Sequence, residues 1–84
     1  MYEWDAKKRQ ANLAKHGVDF AIVADFEWGG AFVLEDDRYD YGEIRMVAIG
    51  RIKGRIHTMV YTERGQKVRV ISLRKANRAE RNRI

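Results

Sequence analysis

Eighty-four residues without a cysteine leave room for one small domain, spanning 1–84, that is held by packing alone and has neither a disulfide framework nor thiolate chemistry. Two histidines without cysteine argue against a structural zinc site, and no apolar run reaches the roughly 20 residues of a membrane helix. The formal charge of +5 is unevenly placed: residues 1–63 carry nine basic and eleven acidic side chains, whereas 64–84 carry eight basic ones against the single acid Glu80. A basic C-terminal quarter fits a polyanion or an acidic protein partner, and equally a solvated surface. The charged start, 1–10, lacks the apolar core of a secretory signal, so we expect a cytoplasmic protein with no membrane contact.

In chain order, Asp5 is a good helix N-cap, Ala6–His16 holds strong helix formers, and Gly17 offers the left-handed residue that ends many helices. A second helix is expected after Asp19, with Phe20, Val23, Ala24 and Phe26 as its apolar face and Gly29-Gly30 as its stop. Trp4 and Trp28 flank the pair and are expected to pack there. From Ala31 the pattern turns to strands over 31–35, 44–51, 55–63 and 67–73, rich in Val, Ile, Tyr and Thr. Between the first two, the acidic run from Glu35 to Glu43 reads as a solvated loop, because its acids do not follow calcium-loop spacing. Asp36 or Asp37 is available there to pair with an arginine.

Lys53-Gly54 and Arg64-Gly65 suit two-residue hairpin loops and make the strands an antiparallel meander. Counting from those loops sets Val47 opposite Val60, Val60 opposite Arg69, and Thr62 opposite both Arg45 and Lys67. One face then carries Arg45, Thr62, Lys67 and Arg69, with Val47, Ile49, Thr58, Val60 and Ile71 toward its far end. The other carries Met46, Ala48, Met59, Tyr61, Val68 and Val70, fit to lie under helices. Asn77 and Glu80 have the spacing of a capping box, which starts a short final helix.

No nucleotide loop, nucleophile elbow or metal-ligand spacing is present, so no cofactor is expected. Phosphodiester chemistry fits better: it needs fixed cations at the phosphate and a proton carrier titrating near neutrality. Arg45 and Arg69 on one sheet face, Arg74 at the strand exit and Arg64 in the turn are candidate phosphate clamps, and pairing with surface acids accounts for them equally well. Along the first helix, Lys8, Asn12 and Lys15 or His16 share a side, although Lys15 and His16 also suit the negative end of the helix dipole. His57 and Tyr61 read as packed residues.

Taken together, Tyr2-Glu3-Trp4-Asp5, Lys8, Asn12, Lys15-His16-Gly17-Val18 and Phe20 resemble the opening of the BrnT toxins. So do the later blocks Asp36-Asp37-Arg38, Asp40-Tyr41-Gly42-Glu43, Arg45, Ile49-Gly50-Arg51, Val60-Tyr61-Thr62-Glu63-Arg64-Gly65, Ile71-Ser72-Leu73-Arg74-Lys75-Ala76 and Glu80-Arg81. The ordered set spans nearly the whole chain. Two departures stand out: Leu73 occupies a place where a small residue is expected, and a longer final helix is expected beyond Ile84.

The resemblance implies an α+β, RelE-like fold, here two N-terminal helices on a four-stranded antiparallel sheet with a short C-terminal helix. It also implies a type II toxin that stops translation by cutting RNA and is neutralised by a BrnA-like antitoxin, the complex binding operator DNA through the antitoxin. On that reading the reaction is metal-independent. Lys8 and His16 are the proton-transfer candidates, Arg45, Arg69 and Arg74 hold phosphate, and Glu63 completes the catalytic set. Lys15, Thr62, Arg64, Lys67, Ser72 and Lys75 are expected to bind the RNA. The alternative is a non-catalytic module that binds nucleic acid or protein through its basic C-terminal quarter.

Overall fold

The computed structural model describes residues 1–37 and 42–84; Arg38, Tyr39, Asp40 and Tyr41, in the acidic loop and in one block of the resemblance, lie outside the described residues. The chain runs β1 (Tyr2–Glu3), α1 (Ala6–His16), two 3-10 turns (Phe20–Asp25 and Trp28–Gly30), β2 (Phe32–Asp36), β3 (Arg45–Ile52), β4 (Arg55–Arg64), β5 (Lys67–Lys75) and α2 (Arg78–Arg81). The strands form one sheet in the order β1-β5-β4-β3-β2, with β1 parallel to β5 and the other neighbours antiparallel.

The expected architecture is therefore corrected: one α-helix precedes a five-stranded mixed sheet, where two helices and a four-stranded antiparallel sheet were anticipated. Phe20, Val23 and Phe26 explain the missing helix. They recur every three residues and all three are buried, the period of a 3-10 turn, so this segment lays its apolar side down without a full α-helical turn. Asp19 starts it by accepting the Ala21 N–H at 3.0 Å. Strand β1 has two residues, too few for an alternating pattern to show.

Helix α1 forms as its caps dictate. Asp5 accepts the Lys7 and Lys8 N–H groups at 2.7 and 3.3 Å, and Gly17, at φ 71°, returns its N–H to the Leu13 carbonyl at 2.9 Å. Yet α1 has no apolar stripe; its one buried residue is Asn12. The Asn12 amide donates to the Leu73 carbonyl at 2.7 Å and the Val18 carbonyl at 3.0 Å, and its oxygen accepts the Leu73 N–H at 3.1 Å. One side chain thus occupies the edge of β5 where a neighbouring strand would be. Arg9 completes the attachment, gripping Asp19 at 2.8 and 3.0 Å while stacking over Trp4.

The first hairpin turns at Lys53-Gly54, both with positive φ, 49° and 81°, as a type I′ turn requires. It sets Val47 opposite Val60 as expected. The second hairpin turns one residue later than expected, at Gly65-Gln66, because a turn with positive φ at its first central residue puts glycine there, at φ 60°. Thr62 consequently faces Arg69 across β4 and β5, where Lys67 was expected, and Val60 faces Ser72, where Arg69 was expected. The shift of two residues at Thr62 preserves which face each side chain takes, whereas the shift of three at Val60 includes an extra residue in β5 and does not.

The core lies between the sheet and the α1 and 3-10 layer. It joins Val18, Phe20, Val23 and Phe26 to Ala48, Ile52, Met59, Tyr61, Val70 and Leu73. Trp4 packs edge-on against Phe20; Trp28, partly exposed, meets Phe26 and Tyr61 edge-on as well and donates its indole N–H to the Tyr2 hydroxyl at 2.7 Å. His57 is buried, its Nδ1 donating to the Arg55 carbonyl at 2.8 Å. Gly50 is required by crowding: a Cβ there would sit 2.6 Å from Phe26 Cζ.

Two substitutions test this account in urea unfolding. Asn12→Ala strips the partners from both Leu73 backbone groups and should cost about 2–3 kcal/mol. Gly50→Ala should cost about 1–3 kcal/mol through overpacking against Phe26.

Candidate functional site

Strict alternation along β5 would place Arg69 on one side of the sheet and Arg74 on the other, since they are an odd number of residues apart. A β-bulge removes that obstacle. Tyr61 pairs with Val70 while the adjacent Val60 pairs with Ser72, leaving Ile71 as the extra residue. Past the bulge the parity flips, so Leu73 turns into the core, fully buried, and Ser72 and Arg74 join Arg69 on the outer face. Leu73, an apparent departure from the family pattern, is a core residue whose backbone Asn12 holds.

Helix α1 lies along this stretch of β5, and a cleft of about 230 Å³ opens between them, lined by Lys8, Asn12, Lys15, His16, Ile71 and Ser72. The expected helical stripe is thus real but divided: Asn12 is its buried anchor, while Lys8 and His16, one turn either way, stand at the cleft. The His16 imidazole is held below its ordinary 6.5, first by burial and then by the positive charges of Lys15 and Arg74. Its charged form is accordingly disfavoured, which suits a group that accepts a proton.

The arginines are fixed by acids on other elements. Arg74 forms a two-pronged pair with Glu80 at the start of α2, both contacts 2.7 Å, and Glu80 also accepts the Asn77 N–H at 2.9 Å in the expected capping box. Arg69 donates to Glu3 of β1 at 3.3 Å, and Lys67 lies 3.9 Å from the same carboxylate. Arg45, opposite Asp36 on β2, is 3.7 Å from Glu43.

Not every expected site residue meets in the cleft. Lys8, Lys15, His16 and Ser72 line it, with Arg74 close enough to shift His16 and Arg69 further along the same strand face. Thr62, Glu63 and Arg64 line a separate hollow of about 340 Å³ with Glu43, Ile44 and Met46. There Thr62 is buried and donates to the Ile44 carbonyl at 2.8 Å, while Arg64 is 3.7 Å from Glu43. Lys75 is exposed at the end of β5, opposite His57. The sequence reading missed Glu3 and Glu80 as the acids that aim the arginines. Glu80 carried a signal in its capping-box spacing, whereas nothing distinguishes Glu3 from a surface acid.

Compared with known protein families, residues 4–80 match the model of the ribonuclease toxin BrnT of type II toxin-antitoxin systems. No individually curated protein matches the chain. Among the described residues, no helix is long and apolar enough to cross a membrane.

The matched segment ends at Glu80, whose carboxyl is lowered from 4.5 to about 2, chiefly by the hydrogen bond from Arg74. Asp19 is likewise lowered from 3.8 to about 2, chiefly by Arg9. Both carboxyls bind protons more weakly folded than unfolded, so their stabilisation is complete above about pH 4.5 and is lost as pH falls toward 2. Denaturant midpoints measured across that window should fall with pH, and Glu80→Gln should flatten part of the slope.

Proposed function

The chain belongs to the BrnT family, the ribonuclease toxins of type II toxin-antitoxin systems, and on that premise we propose that the cleft between α1 and β5 cuts RNA internally without a metal ion. RNA is the substrate and an antitoxin the partner that this family implies. The observation that carries the assignment to the cleft is the convergence of the His16 imidazole with Lys8, Lys15 and Ser72 beside the arginine face of β5.

In the proposed reaction His16 takes the proton of a ribose 2′-hydroxyl, whose oxygen attacks the adjacent phosphorus. The bond from phosphorus to the 5′-oxygen breaks, and Lys8 returns a proton to that oxygen, leaving a 2′,3′-cyclic phosphate and a free 5′-hydroxyl. Arg74 and Arg69 neutralise charge developing on the phosphoryl oxygens, and Lys15 and Ser72 orient the strand. Arg45, Thr62, Glu63, Arg64, Lys67 and Lys75 then serve RNA further along its path. A BrnA-like antitoxin would neutralise the enzyme and carry the complex to operator DNA, and the protein would act in the cytoplasm.

A labelled single-stranded RNA incubated with the purified chain in EDTA tests the reading. Discrete fragments ending in 2′,3′-cyclic phosphate are expected, with His16→Ala slowed by about 10²–10⁴. Because His16 lies below its ordinary 6.5, the acid limb of the rate profile should have its midpoint below that pH. If His16→Ala and Arg69→Ala both cut at the parental rate, the cleft is the wrong site.

A further inference from the structure

Where β1 meets β5, another hollow of about 430 Å³ opens on the core side of the sheet. Met1, Tyr2, Trp28, Gln66 and Val68 line it, and none of these side chains is charged. Trp28 is 38% exposed there. Its ring neighbours Phe26 and Tyr61 are inclined to it by 67° and 86°, so neither lies parallel to the indole. The open part of the indole is free to take a flat ring stacked on it.

The polar groups around the hollow suit the edge of such a ring. The Tyr2 hydroxyl accepts the indole N–H at 2.7 Å, and among the described residues nothing accepts its own proton, which is left to be donated. Gln66, exposed in the turn between β4 and β5, offers an amide that both donates and accepts. Glu63, exposed and opposite Val68 across the strands, adds an acceptor at the border. A flat ring with apolar faces and a mixed row of donors and acceptors on its rim is an unpaired nucleobase. An aliphatic protein segment would leave the Tyr2 and Gln66 groups unused.

Charge around the turn favours the same ligand. Arg64 and Lys67, on either side of Gly65-Gln66, are 57% and 63% exposed. They lie 3.7 and 3.9 Å from Glu43 and Glu3, beyond hydrogen-bond reach, so both can turn to a phosphate. Glu3, between the arginine face and the hollow, already faces two cations, Arg69 and Lys67. We propose that the hollow is a nucleobase subsite, in which one unpaired base of the RNA stacks on Trp28 with its rim toward Tyr2, Gln66 and Glu63. The proposal rests on the reading of RNA as the substrate and extends it, because cleavage then depends on a nucleotide remote from the bond that breaks. Val68 and Ser72 are four residues apart on β5, about 13 Å. At the ~3.4 Å spacing of a stacked strand that is about four nucleotides, reached along Arg69 and Lys67 and over the two residues of β1.

The test uses a single-stranded oligonucleotide methylated at every 2′-oxygen but one, so that a single bond can be cut and the register is fixed. An abasic position is walked along it. Beyond the nucleotides flanking that bond, kcat/KM should fall about five- to hundredfold at one offset and stay within twofold at the others. Trp28→Leu should cut the intact oligonucleotide with the same loss, and the dependence on offset should vanish. A uniform response to the abasic position, or a leucine variant that keeps the parental offset, overturns the subsite. Fluorescence decides if that variant fails to fold: in the Trp4→Phe chain Trp28 is the sole indole, and a fully methylated oligonucleotide should quench it on binding. Binding without quenching overturns the proposal. RNA that binds and quenches but is never cut supports the subsite while ending the ribonuclease reading. Quenching by the antitoxin that purifies with the chain, and not by the oligonucleotide, assigns the hollow to a protein and overturns the proposal as well.

Discussion

The rest of the molecule depends on one amide. Helix α1 is too polar to be held by hydrophobic burial, and Leu13, its largest aliphatic residue, is 46% exposed. Asn12 holds it by supplying Leu73 with the donor and acceptor that a flanking strand would otherwise provide. Such a bond is directional, so it fixes the rotation and the axial position of α1 as well as its attachment. Lys8 and His16, one turn to either side, inherit that precision. A helix seated on an apolar stripe would tolerate small rotations, and the cleft would blur with them.

The bulge at Ile71 acts on the other wall. It lets one strand serve two demands that regular alternation would set against each other: Val70 and Leu73 both enter the core, and Arg69, Ser72 and Arg74 all look outward. The cations so gathered are each held by a carboxylate, Glu3 for Arg69 and Glu80 for Arg74. Paired in this way they keep fixed directions, the preorganised charge that the proposed reaction calls for.

How much of this was legible before the structure varied with the physics behind each element. Helix α1 was readable because its caps are local: Asp5 and Gly17 act on residues within a turn. Strands β3 and β4 were readable because a two-residue loop with glycine counts out their register. The 3-10 segment was not, since Phe20, Val23 and Phe26 fit a three-residue period but the first pair also fits an α-helical face. Strand β1 was invisible because its two residues owe their conformation to β5, more than sixty residues away. The bulge left a trace that went unused: Val68, Val70 and Leu73 are spaced by two and then three, a break in alternation inside an apolar run. As for the site, helical spacing alone put Lys8, Asn12 and His16 on one side, while Arg45, reached by counting strand register, and Glu63, which entered by resemblance, do not line the cleft.

The distance in sequence between Asn12 and Leu73 also bears on synthesis. One wall of the cleft is made within the first sixteen residues, and the other within 69–74 of an 84-residue chain. Closing so long a loop is costly until the intervening hairpins have folded to shorten it. A growing chain therefore lacks one wall of the cleft until β5 has been made, and no fragment ending before β5 contains both walls.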